Sequence, residues 1–386
     1  SKKIKEVLEC GVEEVIVKEH LEVALRSGKK LRVKFGIDPT AADLHLGHSV
    51  PLRKLKQFQD LGHHVVLLIG DFTAQIGDPS GRDEARKPLS EAEVRKHMKE
   101  YLAQVGKVLD VKKAEVVHNS EWFTKDTVKT VLELAGVGSI QQVLRRADFQ
   151  KRLDEGKDIT LLETMYPLFQ GYDSVKIKAD VEIGGSDQLF NLLMGRRLQR
   201  HYRMPEQDVM TTLLIEGTDG AKKMSKSAGN YIGLTEKSSE MFGKIMSVPD
   251  HLIEKYFLLL TDRESIDVKG NPRDAKVALA SEIVRMYHGE GQAQKAKEEF
   301  ERVFSRKEPP MEIPEYALKG NPISLIDVLV GAKLAKSKGD ARRLVEQGGV
   351  EINGKVEKDW QKAVAFKGGE VIQAGKRKFI RVFLSS

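Results

Sequence analysis

Hydrophobic positions along the chain change period several times, and each change predicts a change of element. Leu31, Val33 and Phe35 alternate with polar neighbours, which predicts a strand at 31–35 ended by Gly36 and Pro39. Residues 49–60 then take helical spacing. Val65, Val66, Leu67, Leu68 and Ile69 form an unbroken apolar run, as expected of a strand covered on both faces. Ser90 and Glu93 make a capping box for a helix of about 16 residues. Apolar runs at 115–118, 181–183 and 209–216 predict three further strands. Strands alternating with helices at this spacing predict an α/β fold with a doubly wound parallel sheet.

The remaining stretches have other patterns. Residues 1–30 read as a helical lead-in that stops at Gly28, and 124–180 as a mostly helical insertion between the halves of the sheet. From 236 to 304 the pattern is helical again. Residues 307–322 hold four of the twelve prolines and read as a linker. Beyond them, helices are predicted at 323–331 and 337–347, then a hairpin at Asn353-Gly354 and β-like runs to Leu384. The expected domains are 1–230 (catalytic, α/β), 231–306 (α-helical), the linker 307–322, and a small α+β module at 323–386.

Composition narrows this picture. A chain of 386 residues needs more than one core. With 40% hydrophobic and 31% charged residues it has the make-up of a globular protein, and no run of 18 apolar residues occurs. The first residues, SKKIKEVLECG, lack an apolar segment, so no signal peptide is expected. A single cysteine, Cys10, excludes an intramolecular disulfide and a cysteine zinc cluster, and favours a cytoplasmic location. The net charge is +7, but residues 323–386 hold 13 Lys/Arg against 7 Asp/Glu. The terminal module is therefore basic on a nearly neutral body, a distribution that suits a nucleic-acid partner.

Four short motifs fall at predicted strand ends or loops, where open parallel sheets bind ligands. The first is GIDPT followed by HLGH at 45–48, a strand opening onto a helix N-terminus with two imidazoles, which suits a phosphate. HLGH alone could equally be a metal pair or two surface histidines, although no further ligands cluster nearby. The second, GDPSG, puts Asp78 where it could meet an ammonium or simply bond its own turn. The third, GGSDQ, is either a ligand-contacting turn or an ordinary helix cap at Ser186 or Asp187. The fourth, KKMSKS at 222–227, is either a solvated loop or a pair of lysines able to close on a polyphosphate. In addition, Tyr166, Gln170 and Asp173 share one helix face, and three polar groups there require polar partners.

In combination these motifs resemble the class I aminoacyl-tRNA synthetases, and within them the bacterial tyrosyl-tRNA synthetases. HLGH and KMSKS match the two class signatures, while GIDPT, GDPSG, YPLFQGYD and GGSDQ are similar to motifs of the tyrosine branch. Residues 323–355, with AKSKGDARRLVEQGGVEINGK, resemble the S4 RNA-binding module. The resemblance implies a Rossmann-like catalytic domain, an anticodon-binding helical domain and the S4 module. It implies that Thr40 and His45 contact the γ-phosphate of ATP, that Lys223 and Lys226 close on the β- and γ-phosphates, and that His48 lies near the adenosine. Gly36, Asp38, Gly47, Gly185, Asp187, Arg82 and Arg86 complete the implied ATP set, with Gly185 and Asp187 at the ribose. Asp78, Tyr166 and Gln170 would hold the ammonium of tyrosine, Gln188 would sit near its carboxylate, and Asp173 would accept from its phenol. Lys34 stands where the best-known members carry a hydroxyl-reading tyrosine; another branch of the family tolerates this departure, and the resemblance then implies that hydroxyl recognition rests more heavily on Asp173.

The chemistry implied is the activation of L-tyrosine by ATP to tyrosyl-adenylate, with release of pyrophosphate, then transfer to the 3′ end of tRNA(Tyr). The tyrosine carboxylate is ionised at neutral pH and needs no general base. Mg2+ is expected only as a phosphate-bound ion, with no protein metal site. Lys333, Lys336, Lys338, Arg342, Arg343 and Lys355 are the expected RNA contacts. A homodimer is expected, with the 124–160 helices as its interface. The alternatives are a tryptophanyl-tRNA synthetase-like activity, or another HxGH-type nucleotidyltransferase, which would need neither the helical domain nor the RNA module.

Overall fold

A computed structural model describes residues 2–39, 43–80, 89–262, 270–305, 313–375 and 378–384. The chain forms two compact units, residues 1–289 and 290–386.

The first unit is built on a six-stranded sheet. Its strands are β1 (Val12–Ile16), β2 (Arg32–Ile37), β3 (His64–Ile69), β4 (Glu115–His118), β5 (Val181–Gly185) and β6 (Asp208–Thr212). They lie in the order β1-β6-β5-β2-β3-β4, parallel except for β1, which runs antiparallel to β6. The expected doubly wound parallel sheet is present. Val33, Val65, Val66, Leu67, Ile69, Val181 and Val209 are wholly buried, because helices cover both faces of the central strands. The chain proceeds outward from β2 through β3 to β4, then returns to place β5 on the other side of β2. That reversal beside β2 opens a crevice at the strands' carboxyl ends.

The helices follow their local signals. Ser90 and Glu93 form the capping box of the Glu91–Val105 helix. Thr160 and Glu163 do the same for Leu161–Ile177, which lies against Leu189–His201. Residues 1–30 differ from expectation. Helices Lys2–Glu9 and Lys18–Arg26 flank β1, so the lead-in is not wholly helical. β1 is only five residues long with two glutamates, and an edge strand bonded on one side can keep such polar positions. Strand β6 also ends at Thr212, before the expected 216.

Helices Ser238–Met246, Ile253–Leu260 and Pro272–His288 belong to the same compact unit as the sheet. Lys255 pairs with Glu216 at 2.9 Å and the Tyr256 hydroxyl donates to the Glu216 carbonyl at 2.7 Å. The boundary between the two compact units falls at 289/290.

The second unit contains the helix Glu290–Ser305 and a five-stranded sheet. The sheet is formed by β7 (Glu315–Leu318), β9 (Val350–Ile352), β10 (Lys355–Val356), β12 (Val371–Ala374) and β13 (Lys378–Leu384), in the order β10-β9-β12-β13-β7. A two-stranded ribbon pairs β8 (Ile323–Ser324) with β11 (Ala363–Val364). Helices Leu325–Gly331 and Lys338–Glu346 lie where expected, with Leu325, Val328, Ala341, Val345, Val350 and Ile372 in one core. Asn353 and Gly354 both have positive φ, the geometry of a two-residue hairpin turn. The expected linker is not wholly irregular, because β7 lies inside it and pairs parallel with β13.

Candidate active site

The crevice at the carboxyl ends of β2–β5 gathers polar residues into three groups. The first surrounds Tyr166 and Asp173, both buried. Asp38, just past β2, accepts from the Tyr166 hydroxyl at 2.9 Å and from the Thr73 hydroxyl at 2.8 Å. Gly70 makes room for this, since a Cβ there would overlap the Asp38 carboxylate. Asp38, expected in the ATP set, thus anchors a side chain of the expected tyrosine set. Asp173 accepts from the Trp122 indole N–H at 3.0 Å and from the Asn119 amide at 3.3 Å. Burial pushes its carboxyl up to about 7, opposed mainly by the ammonium of Lys34. Burial also raises the Tyr166 phenol, helped by the charges of Asp38, Asp78 and Asp173, so Tyr166 stays a neutral donor.

The second group centres on Asp78. Its Oδ1 accepts from the Ser80 backbone N–H at 3.0 Å, and its Oδ2 from the Gln188 amide at 2.7 Å. The turn-closing reading of GDPSG is present at one oxygen, while the other oxygen reaches across the crevice to Gln188. Asn191 donates to the Ser80 hydroxyl at 3.2 Å, and Arg146 donates to the same hydroxyl at 2.8 Å. Gln188 ends a 3-10 turn, Ser186–Gln188, which precedes the helix Leu189–His201; neither Ser186 nor Asp187 caps that helix through its side chain.

The third group is the edge built by HLGH and KMSKS. His45 is the N-cap residue of helix Leu46–Asp60, and its backbone N–H donates to His48 Nδ1 at 3.2 Å. The two rings lie 3.8 Å apart between centroids, an approach Gly47 permits, because a Cβ there would come within 2.9 Å of His45 Nδ1. Burial, and then the positive charges of Lys223 and Lys226, hold the His48 imidazole down at about 4. His45 lies well below the usual histidine range, from burial first and then from His48 and the same lysines. Both rings are therefore neutral at pH 7. The Nδ1 atom of His45 is buried without a hydrogen-bond partner. Lys223 pairs with Asp187, and Lys226 pairs with Asp43 at 3.2 Å.

The KMSKS loop is tied at its base. Asn230 donates to Asp219 at 3.0 Å and to the Lys222 and Lys223 carbonyls, and accepts from the Ser225 N–H at 2.8 Å. Met224 is buried beneath it and Gly233 bridges to His45, so loop and imidazoles share one frame.

Lys34 does not face this crevice as a free cation. It is wholly buried, 2.7 Å from Glu182, and donates to the Gln170 carbonyl at 3.0 Å and the Ser174 hydroxyl at 2.9 Å. The Gln170 side chain in turn donates to Glu182 at 3.4 Å.

The other expected residues fall as follows. Gly36 lies within β2 and Gly185 ends β5. Thr40, Arg82 and Arg86 lie outside the described residues. Lys333, Lys336, Lys338, Arg342, Arg343 and Lys355 are all exposed on the second unit, where Arg342 stacks over Trp360 at 4.3 Å. Several residues of the site were not anticipated: Asn119, Trp122, Ser80, Asn191, Glu182, Asn230 and Asp43. Asn119 follows directly on β4, so its place at a strand's carboxyl end was the signal for it. No local pattern marked Trp122 or Asn191.

Comparison with known proteins agrees with this geometry. Residues 26–305 match the family described as tRNA synthetases class I (W and Y), and residues 307–382 match the Tyrosine--tRNA ligase SYY-like C-terminal domain. The chain is 49% identical over 386 residues to the tyrosine--tRNA ligase of Thermotoga maritima, covering 97% of this chain and 96% of that protein. It is 47% identical to that of Aquifex aeolicus over 381 residues, covering 97% of each. Its fold is similar to the C-terminally truncated mitochondrial tyrosyl-tRNA synthetase of Aspergillus nidulans (TM-score 0.65, 22% identity, 78% of this chain and 94% of that one). It is also similar to the Archaeoglobus fulgidus tyrosyl-tRNA synthetase complexed with L-tyrosine (TM-score 0.62, 24% identity, 77% and 99%). With matches that run nearly end to end, and with both class signatures brought together in one crevice, the chain belongs to the tyrosyl-tRNA synthetase family within the class I tRNA synthetases.

Proposed function

We infer that this enzyme is a tyrosine–tRNA ligase, which activates L-tyrosine with ATP and transfers it to tRNA. The geometry that supports tyrosine above other amino acids is the Asp173 carboxylate. Two donors, Trp122 and Asn119, occupy one lone pair on each oxygen and leave others for a phenol. A buried carboxylate left short of a donor disfavours phenylalanine.

In the proposed cycle, Asp78, Tyr166 and Gln170 receive the tyrosine ammonium and Gln188 lies near its carboxylate. That carboxylate attacks the α-phosphate of ATP, a P–O bond forms, and pyrophosphate leaves. The barrier lies in aligning two anions and stabilising charge on the leaving group. Lys223 and Lys226 exchange Asp187 and Asp43 for phosphate oxygens, and Asp187 is released to the ribose. His45, with an unpartnered buried nitrogen at a helix N-terminus, is suited to donate to phosphate as its pKa rises beside the anion. Mg2+ bound to ATP would supply further neutralisation of phosphate charge; the ammonium and imidazole groups here suit phosphate oxygens as partners. The terminal ribose hydroxyl of the tRNA then takes the tyrosyl group and AMP leaves.

The exposed cations of the second unit are proposed to contact tRNA phosphates, and Arg342 on Trp360 offers a flat face to a base. A homodimer is proposed because Val128, Leu132, Ile140, Leu153 and Leu161 of the inserted helices are exposed, an apolar set suited to a second copy. A cytoplasmic location is proposed; no helix among the described residues is long and apolar enough to cross a membrane. ATP–pyrophosphate exchange with tyrosine, tryptophan and phenylalanine in parallel tests the substrate assignment. Tyrosine alone should support rapid exchange; equal exchange with tryptophan would refute it.

A further inference from the structure

Lys34 and Glu182 form a charged pair in the middle of the sheet, on adjacent strands, with 0% and 1% side-chain exposure. Two ions removed from water seldom stabilise a core more than apolar side chains of the same volume would. Such a pair calls for a reason other than stability. An ammonium has three N–H donors. Here all three have acceptors: the Glu182 carboxylate, the Gln170 carbonyl and the Ser174 hydroxyl. Lys34 therefore has no donor left for a substrate. Glu182 is engaged as well, taking Lys34 and the Gln170 amide on one oxygen, and the Ser174 hydroxyl and Gln207 amide on the other. What remains for the pair to act through is its field and its grip on one helical turn, and that turn carries Asp173.

We propose that Lys34 is a positioning residue for tyrosine selectivity: locked by Glu182 and by the Gln170–Ser174 turn, it holds the turn that carries Asp173 and sets the field at that carboxyl without touching the substrate. The inference rests on the reading of Asp173 as the acceptor of the phenol. The groups around Asp173 are Lys34 from β2, Glu182 from β5, Tyr166 on its own helix, and the neutral donors Asn119 and Trp122. Burial raises the carboxyl; Lys34 is the strongest influence that lowers it, ahead of the two hydrogen bonds, and Glu182 raises it slightly. Deleting the whole pair is expected to raise Asp173 further, because the lowering influence of Lys34 outweighs the raising influence of Glu182. A raised carboxyl is protonated over a wider range, so recognition of the phenol would be lost near neutrality and regained at higher pH.

The test compares two variants of the full-length enzyme in tyrosine and phenylalanine activation across pH 6–9. Lys34→Met with Glu182→Gln removes both charges together, which avoids stranding a lone buried ion, and retained folding is checked by thermal melting. The acid limb of kcat/KM for tyrosine should move up by about one pH unit, giving about a five-fold loss at pH 7 that recovers by pH 9. Phenylalanine activation should not fall at any pH, since a protonated Asp173 penalises the missing hydroxyl less than a charged one. Asp173→Asn is the second variant and should lose tyrosine-over-phenylalanine preference at every pH. If Asp173→Asn loses the preference while the double variant keeps both the preference and the position of the limb, the role of Lys34 is overturned and the reading of Asp173 stands. If Asp173→Asn keeps the preference, that reading falls, and the inference with it. A loss in the double variant that is the same at all pH values also overturns the proposal, since it would show structural damage.

Discussion

The two sides of the crevice are built in opposite ways. The tyrosine side is buried or half-buried and held by fixed hydrogen bonds: Tyr166 on Asp38, Asp173 on Trp122 and Asn119, Asp78 on Gln188. The phosphate side holds its cations on carboxylates that a nucleotide can displace, Lys223 on Asp187 and Lys226 on Asp43. The difference follows from the ligands. An amino acid is chosen by shape and by one hydroxyl, and a preformed pocket avoids ordering costs on binding. A triphosphate changes its charge distribution during the reaction, so the useful groups are those that can move with it. Half-exposed ion pairs are weak enough to be exchanged, whereas a hydrogen-bonded carboxylate in a core is not.

The largest effect should come from the mobile side. Lys226→Ala is expected to slow adenylate formation about 10²- to 10³-fold in single-turnover measurements, the usual cost of one lost electrostatic donor, with tyrosine affinity nearly unchanged. A matching loss of tyrosine affinity would merge the two sides and break the comparison. On the fixed side, Asp173→Ala should cut tyrosine-over-phenylalanine preference about 10- to 100-fold, the worth of a charge-assisted hydrogen bond. It should also abolish the acid limb near pH 7. The sign follows from a carboxyl raised to about 7: tyrosine recognition is complete above that value and fades as pH falls through it. A preserved limb in the mutant would assign it to another group.

Removing residues 307–386 should weaken tRNA charging at least about ten-fold and make its salt dependence shallower, because phosphate contacts are gone. ATP–pyrophosphate exchange should remain within about two-fold, since the crevice residues described above all belong to the first unit; a collapse of exchange would contradict this. The smallest effect is Asp43→Asn, which frees Lys226 from a surface pair worth about 0.2–1 kcal/mol. It should lower KM for ATP by at most about five-fold, and a rise in KM would give Asp43 a direct role with the nucleotide.

Much of the frame was legible because it rests on local rules. The apolar run at 65–69 can only be a strand covered on both faces, the Ser90–Glu93 box starts a helix wherever it lies, and Asn353-Gly354 selects a hairpin turn. Short motifs at strand ends located HLGH, GDPSG, GGSDQ and KMSKS, since the α/β topology turns such ends into one crevice. β1 escaped because two glutamates mask a short edge strand, and β7 because prolines around it suggested a linker.

What the tertiary structure alone decided is partnership. Residues as distant as Asp38 and Tyr166, Asp78 and Gln188, or Asp173 and Trp122 meet only once β2–β5 and their helices are assembled. Lys34 is the clearest case. By sequence it is a charged residue in place of an expected tyrosine; in the fold it is a buried ion with every donor occupied, acting beside Asp173. Periodicity depends on neighbours a few residues away, so a sequence carries it. The ionisation of a buried carboxylate depends on charges brought close by the whole sheet, so only the folded chain can set it.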